Sequence, residues 1–553
     1  MDANIKSVNA YPLVKHYIGQ LELMSIFKAH IPKGQSFVDP AEALCIMITN
    51  ILFASKPLYQ VEEWLADYAD YHGEEPAAAD LFNDDRLARS LDKLFAAPRQ
   101  EILTEISLKA IQTYELETNC IHNDSTTVTF TGEYRKQSQD TVQMIPGYNK
   151  DHRPDLKQIV FGLNITEDGH VPIDHQLFDG NRTDDTTHID NWERLRDFLQ
   201  KEDFIYIADS KLSTKKNLTA IDGWDGKFIS ILPRTRKEVT EFYDKLRTSY
   251  PDLEPAYQKE SSRKKGEFTA YRIYDNTQTQ EGFRLIWVHS SAKEKQDAGR
   301  RQSKIERTHK ELSELASKLN MYRLKTKEQI QSALDSTLKK NDRFFTIDLR
   351  EIKTTQKVQI GRGRPSANTK YREIVHLTYD LDFERNQKEI IADSTKDGFF
   401  PLVTNLDLEA KEVLKTYKNQ PYLEKRFNTL KSVTDVAPIY LKTPRRIEAM
   451  LFLYFIALMI ISLMERNIRK AMNEQSIESL KIRPNRMKTT RPTWNNIRYY
   501  FRNILLIVVT HQGEIDFTTK GLNKTHALVS RLLGVPTGIW YDLSENFWRF
   551  DSG

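Results

Sequence analysis

Along the first 118 residues apolar positions recur every three to four residues, the period of helices with one buried face. "DPAEALCIMITNILFA" opens with Asp39 as a helix N-cap and Pro40 at the first helical position, and "DDRLARSLDKLFA" repeats the amphipathic pattern. No clear strand is expected in this region. From about residue 119 the period shortens. "CIHNDSTTVTF", "KQIVFGLNIT" and "VPIDHQLF" are rich in β-branched residues and predict three successive strands. A helix over "THIDNWERLRDFLQKE", a short strand "FIYIADS", a helix "KKNLTAIDGW" and a strand "KFISILPR" complete an α/β order with a mixed sheet.

Residues 239–396 interrupt that order. A charged helical stretch over about 292–340 carries Ile305, Leu312, Leu315, Leu319 and Tyr322 at heptad-like spacing, too few repeats for a coiled coil, and predicts a helical hairpin or flap. "QIGRGRPSANTKYR" is expected to be a linker. After "GFFPLVTN" a helix is expected over "YKNQPYLEKRFNTLK", with Leu423, Phe427 and Leu430 on one stripe and Glu424 and Lys431 on another. The first stripe buries, leaving Glu424 half shielded at its edge. A core helix follows at 444–472, and a helical, basic region closes the chain. The expected division is therefore 1–118, 119–238, 239–396, 397–472 and 473–553.

At 553 residues the chain exceeds one core, and 39% hydrophobic with 29% charged residues is a globular balance. Net charge is only +4, so a nucleic-acid partner is not announced by the whole chain. Locally, from Glu465 to Arg502 ten Lys and Arg face three Glu, with Trp494, Tyr499, Tyr500 and Phe501 among them, a composition suited either to tracking a phosphate backbone or to a solvated helix face. The two cysteines, Cys45 and Cys120, form no disulfide framework. The N-terminal stretch has no apolar core of a signal peptide, and the 14-residue run Leu451–Met464 is short for a membrane span, so a cytoplasmic protein is expected. No P-loop, GxSxG or HExxH is present.

Three carboxylates stand out. Asp124 lies in the first strand of the α/β segment, Asp209 ends the fourth, and Glu424 rides a helix able to lie on that sheet. Catalytic groups favour strand ends in such sheets. Asp174, Asp179, Asp184 and Asp185 compete for the same role. Three hard oxygen donors with open positions suit Mg²⁺ or Mn²⁺, two ions per site, in phosphodiester chemistry. "GRGRP" (Gly361–Pro365) contains an AT-hook core whose Arg362 and Arg364 suit a narrow minor groove. His122 and the "DHR" at 151–153 form no metal pair by spacing.

This order of Asp, Asp and late Glu resembles the ribonuclease-H-like core of DDE transposases. The chain is similar to bacterial insertion-sequence transposases of the family-four superfamily, and within it to the 1634 branch. That group shares a Y-(2)-R-(3)-E-(6)-K signature; Tyr417, Gln420, Glu424 and Lys431 stand at that spacing, with Gln420 in place of the usual Arg and Pro421 beside it. "GYNKDHRPDLKQ" (Gly147–Gln158), "FDGNRTDDTT" and "DGFF" also resemble family stretches, and the 215 residues between Asp209 and Glu424 match the group's mainly β insertion.

The resemblance implies that Asp124, Asp209 and Glu424 hold the catalytic metals and that Tyr417, Gln420 and Lys431 contact DNA. It implies a helical N-terminal DNA-binding region and cleavage at element ends followed by joining of the 3′-hydroxyl to target DNA. Double-stranded DNA is the partner, held by a homodimer in the synaptic complex. Two alternatives stay open: a metal-dependent nuclease that cuts without joining, and a DNA-binding descendant of a transposase that has lost its chemistry.

Overall fold

A computed structural model describes residues 2–69, 81–132, 134, 138–147, 155–260, 266–365, 370–432, 441–511 and 514–540. They form two compact units, one of residues 1–230 with 415–553 and one of residues 231–414. The second unit is wider than the interruption at 239–396, and the N- and C-terminal regions fold with the first unit rather than apart from it.

The first unit begins with a strand, β1 (Asp2–Ser7), where only helices are expected. Helices follow, among them Pro40–Phe53, whose N-cap Asp39 accepts the Ala41 N–H at 2.9 Å, and Asp84–Ala96. Then come β2 (Cys120–Phe130), β3 (Lys157–Thr166), β4 (Pro172–Asp179), β5 (Ile205–Ile207) and β6 (Lys227–Ile231). In space they run β4-β3-β2-β5-β6. The first three are an antiparallel meander, while β5 pairs parallel to β2 and β6 parallel to β5. The parallel steps require crossovers, which the helices His188–Leu199 and Lys215–Gly223 supply.

The second unit holds β7 (Glu254–Glu260), β8 (Phe268–Gln278), β9 (Arg284–Ser290), β10 (Phe345–Gln359), β11 (Tyr371–Arg385) and β12 (Phe399–Thr404). β7, β8, β9 and β12 are antiparallel neighbours in that order. The charged stretch is a hairpin of helices Ser291–Ala316 and Lys327–Leu338. Ile305, Leu312 and Leu315 are buried in it, but Tyr322, in the turn between the helices, is 85% exposed. The described residues of the expected Gly/Arg linker, 359–365 and 370–372, instead lie at the far end of a long antiparallel pair, β10–β11.

The chain returns to the first unit through helices Ala410–Tyr417, Pro421–Ser432 and Pro444–Glu474. The last is apolar all round and forms the core, packing on the 40–53 and 84–96 helices and on β4. It is long and apolar enough to cross a membrane, with mean hydropathy 2.4 over its most apolar window, and that window is wholly buried within the fold. Its buried charges are paired: Glu448 with Arg99 at 3.1 Å, Glu465 with Arg426 at 2.9 Å, and Arg466 with Asp168. The closing region is not all helical. β13 (Leu505–His511) and β14 (Glu514–Lys520) form a sheet with β1, Asp2 lying opposite Thr510. A six-residue strand whose partner lies at the other end of the chain leaves little local signal. Trp494 and Phe501 are core residues, 1% and 0% exposed, and Arg498 donates to the Leu52 and Phe53 carbonyls, so these three face inward.

Candidate active site

The parallel pairing of β2 and β5 sets Ile121 against Tyr206 and His122 against Ile207. That pairing ends at His122↔Ile207, two residues short of Asp124 on β2 and of Asp209 beyond β5. The two aspartates line one cleft together with Asn123, Ser125, Gln176, His188 and Asn191. Each is half-buried and oriented by a nearby backbone donor: Ser125 N–H to Asp124 Oδ1 at 2.7 Å, and Lys211 N–H to Asp209 Oδ1 at 2.9 Å. Ser230 Oγ donates to the Asp209 carbonyl at 2.6 Å, pinning the turn that leaves β5.

Of the competing aspartates, Asp174 is 5% exposed and paired with Arg194 at 2.6 Å inside a buried network with Asn164. Asp179 accepts the Gln143 N–H at 2.7 Å. The Asp185 carbonyl accepts from Asn217 at 3.0 Å, and the side chain of Asp184 lies outside the described residues, as do the "DHR" at 151–153 and most of "GYNKDHRPDLKQ".

The helix carrying Glu424 is seated by its neighbours. Leu423, Phe427 and Leu430 are buried as the pattern predicts. Asn419 bonds Glu167, and Arg426, 4% exposed, donates to the Gly169 and His170 carbonyls at 2.8 Å each as well as to Glu465. Gly169 is required at that turn: its φ is +74°, and a Cβ there would meet the Arg466 side chain at 2.5 Å. Gln420 spans to β2. Its Oε1 accepts from His122 Nδ1 at 2.9 Å, and its Nε2 donates to the Asn123 carbonyl at 2.9 Å. Both ends of the amide are thus engaged one and two residues before Asp124. His122 is wholly buried, its Nε2 has no partner, and burial lowers its pKa to about 4, so the ring is neutral.

Tyr417 ends the preceding helix, cut off from the next by the turn before Pro421, and is 9% exposed. Burial raises the pKa of its hydroxyl, and the negative charges of Asp209, Asp124 and Glu424 raise it further, in that order. All three carboxylates therefore lie close enough to act on one buried hydroxyl. Glu424 itself is exposed, not half shielded as the stripe predicts. Among the described residues no three His, Cys, Asp or Glu side chains are gathered around one ion position. The donor chemistry of Asp124 and Asp209 fits a hard divalent cation. Glu424 is not gathered with them around one position.

Lys431 lies two turns beyond Glu424, half-buried. Arg362 and Arg364 sit at the exposed end of β10–β11 in the other unit. One cluster escapes sequence reasoning. The Tyr422 ring stacks on His170 with centroids 4.1 Å apart, and Lys425 and Arg491 lie over the same ring at 4.3 and 5.2 Å. Arg491 also donates to the Tyr422 hydroxyl at 3.0 Å. Residues 170, 422 and 491 have no common period, so only folding unites them.

Residues 3–108 match a family model described as a domain of unknown function, DUF4277. No curated protein matches the chain. Among solved structures, the chain is similar to a piggyBac transposase in a synaptic complex with hairpin DNA. That likeness has 10% identity and a TM-score of 0.38 over 98% of this chain and 85% of that one, too distant to assign a fold.

Proposed function

We propose that this protein is a DDE transposase of a bacterial insertion sequence, with a ribonuclease-H-like core in its first unit. The observation that supports the reading is the cleft that Asp124 and Asp209 line together, two residues beyond the last β2–β5 pair, with Glu424 among the charges felt by the same buried Tyr417 hydroxyl. The strand order β4-β3-β2-β5-β6, a meander followed by two parallel strands, supports the core assignment. Asp124 and Asp209, with Glu424 as the third donor, would hold Mg²⁺ or Mn²⁺, which supplies Lewis-acid activation of oxygen nucleophiles and leaving groups at phosphorus.

The chain's own residues do the rest. Gln420 and Arg426 fix the Glu424 helix against β2 and the β3–β4 turn. Lys431 and the Tyr422, Lys425 and Arg491 cluster offer cations to phosphates flanking the cut. Tyr417, un-ionised at neutral pH, presents a hydroxyl rather than another negative charge to the carboxylates. In the first step water attacks a phosphodiester at the element's end and a 3′-hydroxyl leaves. In the second that hydroxyl attacks target DNA and displaces a target 3′-oxygen. The N-terminal helices would read the element ends, and a homodimer would pair them.

The test is Mg²⁺-dependent cleavage and joining of a duplex carrying the element's own end, wild type against Glu424→Gln. The reading stands if wild type cuts and joins while the variant binds and does neither. Cleavage without joining of pre-cut ends would make the protein a nuclease, and binding without either would make it a descendant without chemistry.

A further inference from the structure

β10 and β11 pair without interruption from Phe345↔Arg385 to Gln359↔Tyr371, fifteen residues on each strand. The base of this ribbon is anchored. Phe345, Tyr379 and Leu381 bury against Ile305, Leu312, Ile330 and Leu334 of the helical hairpin. Beyond the Ile352↔Thr378 pair the packing stops. Every residue from Arg350 to Lys357 is exposed, as is every residue from Tyr371 to Leu377 except Ile374, so neither face is covered. At about 3.4 Å per residue the bare part extends roughly 25 Å. A two-stranded ribbon in water is marginally stable on its own, so this length is not explained by the unit's own stability.

Its chemistry is one-sided. Between Lys353 and Leu377 the chain carries six cations, Lys353, Lys357, Arg362, Arg364, Lys370 and Arg372, against a single anion, Glu373. Among the described residues Lys353 pairs with Glu351 at 3.4 Å and Lys357 reaches Glu373 at 3.8 Å, while Arg362, Arg364, Lys370 and Arg372 make no ion pair. Cross-strand partners share a face, which places Tyr371, Val375 and Leu377 beside Lys353 and Lys357. Those three apolar side chains are 50%, 55% and 47% exposed.

We propose that the β10–β11 ribbon is a nucleic-acid arm that lies in the groove of duplex DNA. A two-stranded ribbon fits the width of the major groove. Its lysines and arginines meet the phosphates on either side, and its apolar face meets sugars and thymine methyls. The partner class rests on the transposase reading, whereas the arm itself rests on exposure and charge. No catalytic carboxylate belongs to the ribbon, so binding and cutting can be separated.

The experiment is fluorescence anisotropy of the full-length protein with a labelled duplex of about 30 base pairs and arbitrary sequence, titrated across KCl concentrations. Wild type is compared with Lys353→Gln/Lys357→Gln/Lys370→Gln/Arg372→Gln, and with Arg362→Gln/Arg364→Gln. All six positions are exposed, and unchanged circular dichroism confirms folding of the variants. Each lost phosphate contact lowers the log–log salt slope by about 0.9. The four-residue variant is therefore expected to lose about three to four from the slope and at least tenfold in affinity at low salt, and the tip variant about two from the slope.

A slope unchanged in both variants overturns the arm while leaving the chemistry intact if cleavage persists. Loss of a dimer in sedimentation with DNA binding intact also overturns it, since the ribbon then joins copies of this chain. A wild type that binds through the ribbon but never cuts supports the arm and sinks the transposase reading. A wild type that binds no duplex overturns both.

Discussion

Replacing Gln420 with Ala tests how the Glu424 helix is held. The substitution removes two hydrogen bonds of 2.9 Å, one from His122 and one to the Asn123 carbonyl. Each contributes about 1 kcal/mol net, and stranding a buried donor adds about 1–3 kcal/mol. His122 is wholly buried and its Nε2 already lacks a partner, so the ring would lose its remaining hydrogen bond. The expected loss is about 3–5 kcal/mol. For a unit of this size that lowers the melting temperature by roughly 4–6 °C in differential scanning calorimetry. Faster amide exchange along the 421–432 helix should accompany it. Gln420→Arg should retain more stability than Gln420→Ala, because a guanidinium can still donate to the Asn123 carbonyl and to a His122 ring that moves its proton to Nε2. A melting temperature for Gln420→Ala within 1 °C of wild type would refute the latch.

Acid should destabilise the first unit through its buried histidines. Burial lowers His122 to about 4 and both His170 and His175 to about 3, with neighbouring arginines adding to the effect at the last two. The unfolded chain, with histidine pKa near 6.5, binds these protons first as pH falls. Stability is therefore whole above about pH 6.5 and is lost on the way down to pH 4, by about 3 kcal/mol for His122 alone; denaturant midpoints across that range measure it. Asp124→Asn, Asp209→Asn and Glu424→Gln should each reduce Mg²⁺-dependent cleavage by about a thousandfold while leaving duplex affinity unchanged. Activity within tenfold of wild type would remove that residue from the site. Arg426→Met should cost about 3–5 kcal/mol by leaving the buried Glu465 short of a partner. Adding Glu465→Met should recover part of that loss in urea unfolding, and no recovery would show that the two residues are not coupled.

Local pattern alone determined much of this protein. β2 and β3 begin and end where their β-branched runs do, the 40–53 helix starts at its capping Asp39, and Leu423, Phe427 and Leu430 bury as their spacing requires. These features depend on periodicity and capping, which act over a few residues. Asp124 and Asp209 were legible as candidates because each sits in or directly after a recognisable strand.

Tertiary structure decided what distant segments do to one another. β1 exists because β13 pairs with it, and the Gly/Arg segment is the end of a ribbon because β10 and β11 find a register. Gln420 is engaged on β2, 298 residues from His122, and His170, Tyr422 and Arg491 meet only in space. The helical stripe placed Glu424 at the edge of a contact, but its exposure depends on where Arg426 and Gln420 anchor the helix, and those partners are set by folding rather than by the period of the sequence.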